Sequence, residues 1–276
     1  LALLKHRQED YKKGSAKKLK MIRVKSLQDT IKLGQLTLKF FQVEHSIMDS
    51  MGVVIETPAG TVIHPGDWTL ERDTDGKHGL DYRFLSELKS PKILLLESLG
   101  ATNSKTHGTY EAMYKNIYKI LQDSPGRIIV GTFSSQVERV RWIIEAAGNM
   151  GKKVALDGYS MRVNIEIAQK LGYIKPKKGV LIDIKQINRY PENEVVVICT
   201  GAQGEERAVM NRIVSGKHRS IKLTRHDTVI FSSSVIPGNE RTVQKLKDNI
   251  YRQCDHVIHG DLIDVHVSGH STRKDI

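Results

Sequence analysis

The sequence contains little cysteine, no long apolar run and no familiar nucleotide-binding signature. Its 276 residues include two cysteines, Cys199 and Cys254, and both follow apolar segments. This placement predicts buried thiols in a reducing compartment rather than a disulfide. No apolar stretch is long enough to span a membrane, and the start shows no signal-peptide pattern. These absences predict a cytoplasmic, globular protein without a membrane partner.

Positive charge is in clear excess. Lysine and arginine number 43 against 31 aspartate and glutamate residues, a formal net charge of +12 with neutral histidines. Such a balance favours a polyanionic partner, and nucleic acid before a membrane surface, because no basic amphipathic segment stands out. The length suffices for one large domain or two moderate domains with a real core.

The first part of the chain predicts short strands after a basic, helix-like start. The predicted strands are residues 36–41, 52–57 and 61–64. A Pro-Ala-Gly turn joins the last two, which predicts a hairpin. Two polar residues, His45 and Asp67, follow strands. Nitrogen and oxygen donors on one rim suit a metal site, although Asp67 is equally typical of a turn after Pro-Gly.

Strands and helices alternate from about residue 92. The apolar run 93–96 predicts a buried strand that ends at Glu97. Later apolar runs predict strands at residues 127–131, 154–156, 195–199, 229–231 and 257–258. In open α/β sheets, ligands bind at the carboxyl ends of such strands. The glycine-rich turn 200–204 lacks the Walker lysine and the dinucleotide glycine spacing, which excludes both nucleotide motifs.

Ser134 and Ser135 come directly after the strand predicted at residues 127–131. Either hydroxyl can cap the helix that is predicted to start near Gln136. A helix that begins there leaves backbone N–H groups pointing at an anion. Capping and phosphate binding are compatible functions for these serines.

Two histidines surround a Ser-Gly pair near the end of the sequence. Alternation places His266 and Ser268 on one face of a strand end. Gly269 permits a sharp turn or the close approach of another group, and His270 lies beyond it. Imidazole and hydroxyl groups can bind an anion or a metal ion, and a solvated polar strand end is the alternative interpretation.

Six stretches carry the most specific pattern: EHSIMDS (44–50), HPGD (64–67), TFSS (132–135), CTGAQGE (199–205), SSSVIPGN (232–239) and HVSGH (266–270). Taken in this order, they resemble the metallo-β-lactamase-fold nucleases that carry a β-CASP insertion. The resemblance is strongest to the bacterial ribonuclease J family. One such stretch is a weak signal, whereas six spread over almost the whole chain are specific.

The resemblance implies an α/β fold with a particular division. Residues 1–92 and 226–276 would be parts of a metallo-β-lactamase αβ/βα sandwich. Residues 93–225 would form the inserted β-CASP α/β domain. The order of the elements, hairpins first and strand–helix alternation second, agrees with this expectation.

The resemblance also implies roles for individual residues. His45 and Asp67 would bind metal, with Asp67 bridging two divalent ions, zinc or manganese, in the catalytic centre. Glu97 and His270 would be catalytic, and His270 would assist the departing oxygen. The residues implied to hold a substrate phosphate, including the one at an RNA 5′ end, are Ser134, Ser135, His266, Ser268, Gly269 and His270.

The implied activity is metal-dependent hydrolysis of RNA phosphodiesters in RNA processing and decay, by a 5′–3′ exonuclease, an endonuclease or both. The expected substrate is single-stranded RNA with a 5′-monophosphate. The intact protein is expected to be a homodimer or a tetramer.

The family's main metal motif, His-x-His-x-Asp-His, does not occur in the sequence. Its absence predicts an internal fragment that by itself binds metal poorly and is inactive. Two other functions stay open: a β-CASP subunit that binds RNA without cleaving it, and a DNA-directed β-CASP nuclease. The retained metal-binding and catalytic candidates favour an active parent, and the Thr-Gly-Ala-Gln-Gly stretch favours the ribonuclease.

Overall fold

The computed structural model describes residues 2–11, 20–70, 79–102 and 108–276. The chain folds into two compact units. The N-terminal unit comprises Leu1–Thr106 and Gly269–Ile276, and the central unit comprises His107–Ser268. Within the described ranges each unit holds one β-sheet, and the predicted mixed α/β class is confirmed.

The N-terminal unit contains a five-stranded sheet. Its elements are helix α1 (Ala2–Tyr11) and strands β1 (Thr30–Leu33), β2 (Leu36–Gln42), β3 (Met51–Thr57), β4 (Gly60–His64) and β5 (Lys92–Leu94). Strands β1 to β4 form an antiparallel meander, and β5 joins β4 in parallel. The predicted hairpin is confirmed: the Thr57 hydroxyl accepts hydrogen bonds from the N–H groups of Ala59 and Gly60, both at 3.1 Å.

The core of the N-terminal unit is small, and β5 lies outside it. The buried apolar side chains are Phe41, Val43, Val54, Ile63 and Trp68. The expectation that residues 93–96 are buried is wrong, because Ile93 and Leu94 are 57% and 53% exposed. The physical reason is position, since β5 pairs only with β4 and forms the edge of the described sheet.

The central unit is built on a six-stranded parallel sheet. Its strands are β6 (Ile128–Gly131), β7 (Lys153–Asp157), β8 (Leu181–Ile182), β9 (Val195–Cys199), β10 (Thr228–Phe231) and β11 (His256–His259). They lie in the order β11-β10-β6-β9-β7-β8, and every neighbouring pair is parallel. Every residue of β6, β9 and β10 is buried. Continuous apolar runs suit such strands, because helices cover both faces of a parallel sheet.

One helix precedes the first of these strands, and four further helices lie between them. In chain order, the five are α2 (Tyr110–Asp123), α3 (Val137–Asn149), α4 (Tyr159–Lys170), α5 (Val209–Val214) and α6 (Glu240–Tyr251). Helix α2 starts where the Thr109 hydroxyl accepts a hydrogen bond from the N–H of Ala112 at 3.1 Å. Its apolar stripe is core, as the helical spacing predicts, because Met113, Ile117 and Leu121 are fully buried. No helix in the described ranges is long and apolar enough to cross a membrane.

Both cysteines are buried free thiols in the core of the central unit, as the sequence predicts. Burial raises the pKa of each thiol above its ordinary value, which keeps both groups protonated and unreactive. The Cys254 thiol donates to the backbone oxygen of Asp227. These cysteines therefore contribute to packing.

The compact units divide the chain at other positions than the predicted domain boundaries after residues 92 and 225. Strand β10 pairs with β6 along its whole length, from Thr228 opposite Ile128 to Phe231 opposite Gly131. Strand β11 adds to β10. Residues 226–268 therefore belong to the same compact unit as the preceding strand–helix alternation.

Candidate functional site

His45 lies just beyond β2, where a bridge between Glu44 and Thr69 joins the segments after β2 and β4. Its Nδ1 is 2.6 Å from the backbone oxygen of Gly269. A carbonyl oxygen can only accept, so Nδ1 of His45 is protonated and donates to it. Nε2 lies 3.9 Å from Oδ2 of Asp67, and the His45 side chain is only 13% exposed. A fixed tautomer with a backbone partner at Nδ1 is typical of metal-binding histidines.

Glu97 and His270 form a second pair in the N-terminal unit. Oε1 of Glu97 accepts a hydrogen bond from Nδ1 of His270 at 3.0 Å, and Oε2 accepts one from the N–H of Leu99 at 2.7 Å. Both side chains are largely buried, with 14% and 26% exposure. A carboxylate at Nδ1 orients an imidazole and stabilises its protonated form, which suits a histidine that transfers a proton at Nε2.

Gly269 brings the two histidines together. The rings of His45 and His270 meet edge-on, with centroids 5.2 Å apart. A Cβ at position 269 would lie 2.9 Å from Nδ1 of His45 and 3.1 Å from Cβ of Ser46. Two residues later, Ser271 donates its N–H to the backbone oxygen of Trp68 at 3.0 Å. Glycine is therefore required here for close approach, as the sequence suggests.

The donors of the N-terminal unit suit a metal ion in kind, but the described residues do not complete a centre. Metal bonds of about 2.0–2.2 Å would span the 3.9 Å between His45 and Asp67 only at an angle wider than tetrahedral. No group of three or more histidine, cysteine, aspartate or glutamate side chains in the described ranges could hold an ion. His45 and Asp67 thus supply two ligands at most.

Ser232 is the residue on which a separate hydrogen-bond network at the carboxyl edge of the central sheet is centred. Its backbone oxygen accepts hydrogen bonds from the Thr132 hydroxyl at 2.9 Å and from the Arg139 guanidinium at 2.7 Å. Its N–H donates to Gly131 at 2.8 Å, and its buried hydroxyl donates to the backbone oxygen of Val265 at 2.7 Å. This network, which we call the carboxyl-edge network, joins β6, β10 and the segment after β11.

Arg139 ties this network to His266. The guanidinium donates to Nδ1 of His266 at 2.6 Å and to the backbone oxygen of Val267 at 2.9 Å. Arg139 is 1% exposed. Burial lowers its pKa to about 10, while Tyr110 and Tyr114 act in the opposite direction. The residue lies on the buried face of α3, and a charge within an apolar stripe is the signal by which the sequence could have revealed it.

Ser134 and Ser135 are half-buried on the turn between β6 and α3. The prediction that one of them caps the helix is wrong, because the cap residue is Gln136 and no side chain caps this end. The backbone oxygen of Ser134 accepts a hydrogen bond from Asn164 of α4 at 2.8 Å. The serines lie two and three residues after Thr132, which belongs to the carboxyl-edge network.

Gln203 joins the loops after β9 and β10. Its amide nitrogen donates to the backbone oxygen of Ser234 at 2.8 Å, and its amide oxygen accepts from the N–H of Ile236 at 2.9 Å. Gln203 is 4% exposed. Through Gln203, the stretch 199–205 is therefore linked to the stretch 232–239.

A buried Asp157–His218 pair at the end of β7 was not predicted from the sequence. Nε2 of His218 donates to Oδ2 of Asp157 at 2.7 Å, and the two side chains are 6% and 7% exposed. Nδ1 of His218 accepts from the N–H groups of Ser220 and Ile221. Because both ring nitrogens have partners, the pair anchors the loop after α5.

The structure thus brings the predicted site residues together in two sets, each within one unit. The N-terminal unit holds His45, Asp67, Glu97, Gly269 and His270 in direct or adjoining contacts. The central unit holds Ser134, Ser135, His266 and Ser268 on segments that the carboxyl-edge network reaches or adjoins. Sequence reasoning missed Arg139, Ser232 and His218 as members of the polar clusters.

The central unit is a parallel α/β sheet with buried polar groups at its carboxyl edge. A family model described as the ribonuclease J β-CASP domain matches residues 125–250. The resemblance to the ribonuclease J family is confirmed by this match and by curated relatives. This β-CASP domain is part of the metallo-β-lactamase-type nuclease fold.

The relatives are ribonucleases J from several bacteria. The chain is 35% identical to ribonuclease J of Thermus thermophilus over 253 residues, which cover 90% of this chain and 44% of that protein. It is 36% identical to ribonuclease J 1 of Streptococcus pyogenes, covering 87% and 43%, and 32% identical to ribonuclease J of Mycoplasma genitalium, covering 87% and 42%. The chain therefore spans less than half the length of these relatives.

A solved structure shares the fold. A protein of unknown function from Enterococcus faecalis matches with a TM-score of 0.64 and 14% identity, over 93% of this chain and 58% of that one. At this identity the likeness shows the fold alone.

Proposed function

We propose that this chain carries RNA-binding and catalytic residues of a metal-dependent ribonuclease that hydrolyses RNA phosphodiesters in RNA processing and decay. One observation carries the proposal: a chain similar to ribonuclease J along most of its length holds Glu97 and His270 in a hydrogen-bonded pair beside His45. Such a carboxylate–imidazole pair is suited to proton transfer.

His270 would move the proton in the proposed reaction. Glu97 accepts at Nδ1, so the protonated ring presents a proton at Nε2. Transfer of that proton to the departing oxygen neutralises the charge that develops there as the phosphodiester bond breaks. Glu97 stabilises the protonated ring before the transfer and keeps its orientation afterwards.

Metal binding is proposed for His45 and Asp67. Ribonucleases of this family depend on metal in general. Two divalent ions, zinc or manganese, would polarise the phosphate and activate water when bound. The His45–Asp67 pair supplies imidazole and carboxylate donors, which both metals accept.

The proposed substrate is single-stranded RNA with a 5′-monophosphate, processed from the 5′ end, internally, or both. The net charge of +12 favours a polyanion. Ser134, Ser135, His266 and Ser268, with the backbone at Gly269 and His270, offer hydroxyl, imidazole and N–H donors of the kind that phosphates accept.

The organisation of the intact protein belongs to the same proposal. Residues 1–92 and 226–276 are proposed as parts of the metallo-β-lactamase-like domain and residues 93–225 as the insertion. A homodimer or tetramer in the cytoplasm is the proposed working form. The likeness to ribonucleases J supports these statements.

A second candidate function is a β-CASP subunit that binds RNA without cleaving it, and the net charge of +12 suits this function equally. A DNA-directed nuclease is a further alternative, which a comparison of RNA cleavage with DNA cleavage distinguishes from a ribonuclease.

The test is a chimera in which this chain replaces the matching stretch of Thermus thermophilus ribonuclease J. We expect manganese- or zinc-dependent cleavage of single-stranded RNA in preference to DNA of the same sequence. His270→Ala should lower the rate by about 10²–10⁴-fold, and Glu97→Gln should lower it less, whereas the exposed control His256→Ala should not. A folded chimera that binds RNA without cleaving it would support the second function, and cleavage that ignores His270 would refute the assigned role.

A further inference from the structure

The central unit contains two buried arginines that differ in how their charge is balanced. Arg127 is 4% exposed and forms an ion pair with Asp227 at 2.8 Å. Arg139 is 1% exposed, and its described partners are two backbone oxygens and an imidazole, without a carboxylate. A buried cation without a counter-charge is costly, and proteins retain one where its charge or geometry is used.

The contact with His266 fixes the chemistry of that ring. A guanidinium can only donate, so Nδ1 of His266 must accept and hold a lone pair. The ring is therefore neutral in this contact, and its proton resides on Nε2. Tautomer selection by a group at the other ring nitrogen is the usual way in which a histidine is prepared for ligand binding.

The two backbone contacts fix the segments on either side. Arg139 and the Thr132 hydroxyl both donate to the oxygen of Ser232, and Arg139 also donates to the oxygen of Val267. One side chain from α3 thus holds the end of β10 and the backbone next to Ser268. A lysine has one nitrogen and cannot reproduce this planar, multidentate geometry.

We propose that Arg139 is a positioning residue of the phosphate site, where it fixes His266 in the Nε2–H tautomer and supplies the positive charge that a bound phosphate balances. This inference rests on the proposed function, because that function assigns His266 and Ser268 to a phosphate. The charge acts from a buried position, where electrostatic attraction is screened less than in water.

The proposal is tested with the whole 276-residue chain and two probes, uridine 5′-monophosphate and uridine. Long-range ¹⁵N NMR distinguishes Nδ1–H from Nε2–H imidazoles, and a His266→Gln spectrum assigns the signal. We expect a single Nε2–H tautomer in the wild type and a mixture of tautomers in Arg139→Lys. The affinity for uridine 5′-monophosphate should fall about tenfold in Arg139→Lys. Arg141→Lys, on the same helix but half-buried and bonded to Glu138, is the matched control.

Each outcome has a defined meaning. An Nδ1–H tautomer in the wild type overturns the inference, as does an Arg139→Lys protein that keeps both the tautomer and the wild-type affinity. Should the wild type show the expected tautomer but bind both probes equally, the phosphate part is refuted and the positioning of His266 stands. The tautomer of His266 in the wild type tests the positioning role of Arg139 even if a variant folds poorly.

Discussion

His45 owes its orientation to a backbone carbonyl, whereas His270 owes its orientation to a carboxylate. The oxygen of Gly269 fixes Nδ1 of His45 as a donor, and Glu97 does the same for His270. In both rings, Nδ1 is therefore the nitrogen that a neighbouring oxygen atom holds in place. A backbone carbonyl at Nδ1 orients a ring for metal binding at Nε2, and a carboxylate at Nδ1 favours the protonated ring for proton donation.

Gly269→Ala should disturb His45 without removing a functional group. The new Cβ would lie 2.9 Å from Nδ1 of His45, so the ring or the backbone must shift. We expect cleavage by the chimera to fall about a hundredfold, since small displacements at a reacting centre carry that cost. Gly260→Ala is the control, because nothing lies within 4 Å of its Cβ. Equal rates for the two variants would contradict the proposed role of His45.

Asp157 should make the central unit sensitive to acid. Burial alone raises the pKa of Asp157, but hydrogen bonds from His218 and the Gly158 N–H, with the charge of Arg212, outweigh it. The pKa in the folded state is therefore below the ordinary value of 3.8. A lowered pKa stabilises the folded state above the ordinary value and loses this effect as the pH falls through the folded value.

Asp157→Asn should therefore flatten the acid dependence of stability. At neutral pH we expect a loss of about 1–3 kcal/mol in the free energy of unfolding, because a charged hydrogen bond is removed. The wild type should lose stability more steeply than the variant below about pH 4. Urea unfolding of both proteins across that pH range measures the difference. Parallel curves would show that Asp157 is not the responsible group.

At the residue scale, the sequence pattern predicted the polar residues that follow strands. It did not predict the polar residues whose partners lie far away along the chain. His45, Asp67 and Glu97 follow predicted strands, so their positions could be recognised from local pattern, whereas the catalytic role of Glu97 came only from the resemblance. The partners of Arg139 lie 93 to 128 residues away, and His218 lies 61 residues from Asp157. Such contacts are created by tertiary packing. They leave no local signal in the sequence, apart from a charged residue such as Arg139 within an apolar stripe.

At the scale of elements, apolar runs predicted the central strands because a parallel sheet buries both faces. The same rule wrongly predicted that β5 is buried. This strand lies at the edge of the described sheet, and its Ile93 and Leu94 are exposed. The pairing of β10 with β6 could not be predicted from the sequence either, because the packing of the whole unit decides the strand order. The prediction that Ser134 or Ser135 caps α3 was wrong, because the cap residue is Gln136 and no side chain makes a cap hydrogen bond there.

Gln203 should hold the loop after β10 to the loop after β9. Gln203→Ala removes bonds to Ser234 and Ile236, so we expect the amide of Ile236 to exchange faster and stability to fall by about 1–2 kcal/mol. The control Gln244→Ala removes only an exposed bond to Asp248. Unchanged exchange at Ile236 in Gln203→Ala would show that other contacts hold the loop.

For the whole molecule, the charge of +12 and the likeness to ribonuclease J both support the proposed polyanionic substrate. Lysine and arginine contacts to phosphates release counterions, so the affinity should fall steeply as salt rises. Charge alone does not distinguish an RNA end from its interior. The terminal phosphate is what the proposed site adds to this general attraction.

The most direct measurement is the affinity of the 276-residue chain for a short, fluorescently labelled single-stranded RNA with either a 5′-monophosphate or a 5′-hydroxyl. Anisotropy titrations at several salt concentrations give both the charge contribution and the end preference. The account predicts salt-dependent binding that is about tenfold tighter for the 5′-monophosphate. Absence of RNA binding, or equal affinity for the two ends at every salt concentration, would contradict it.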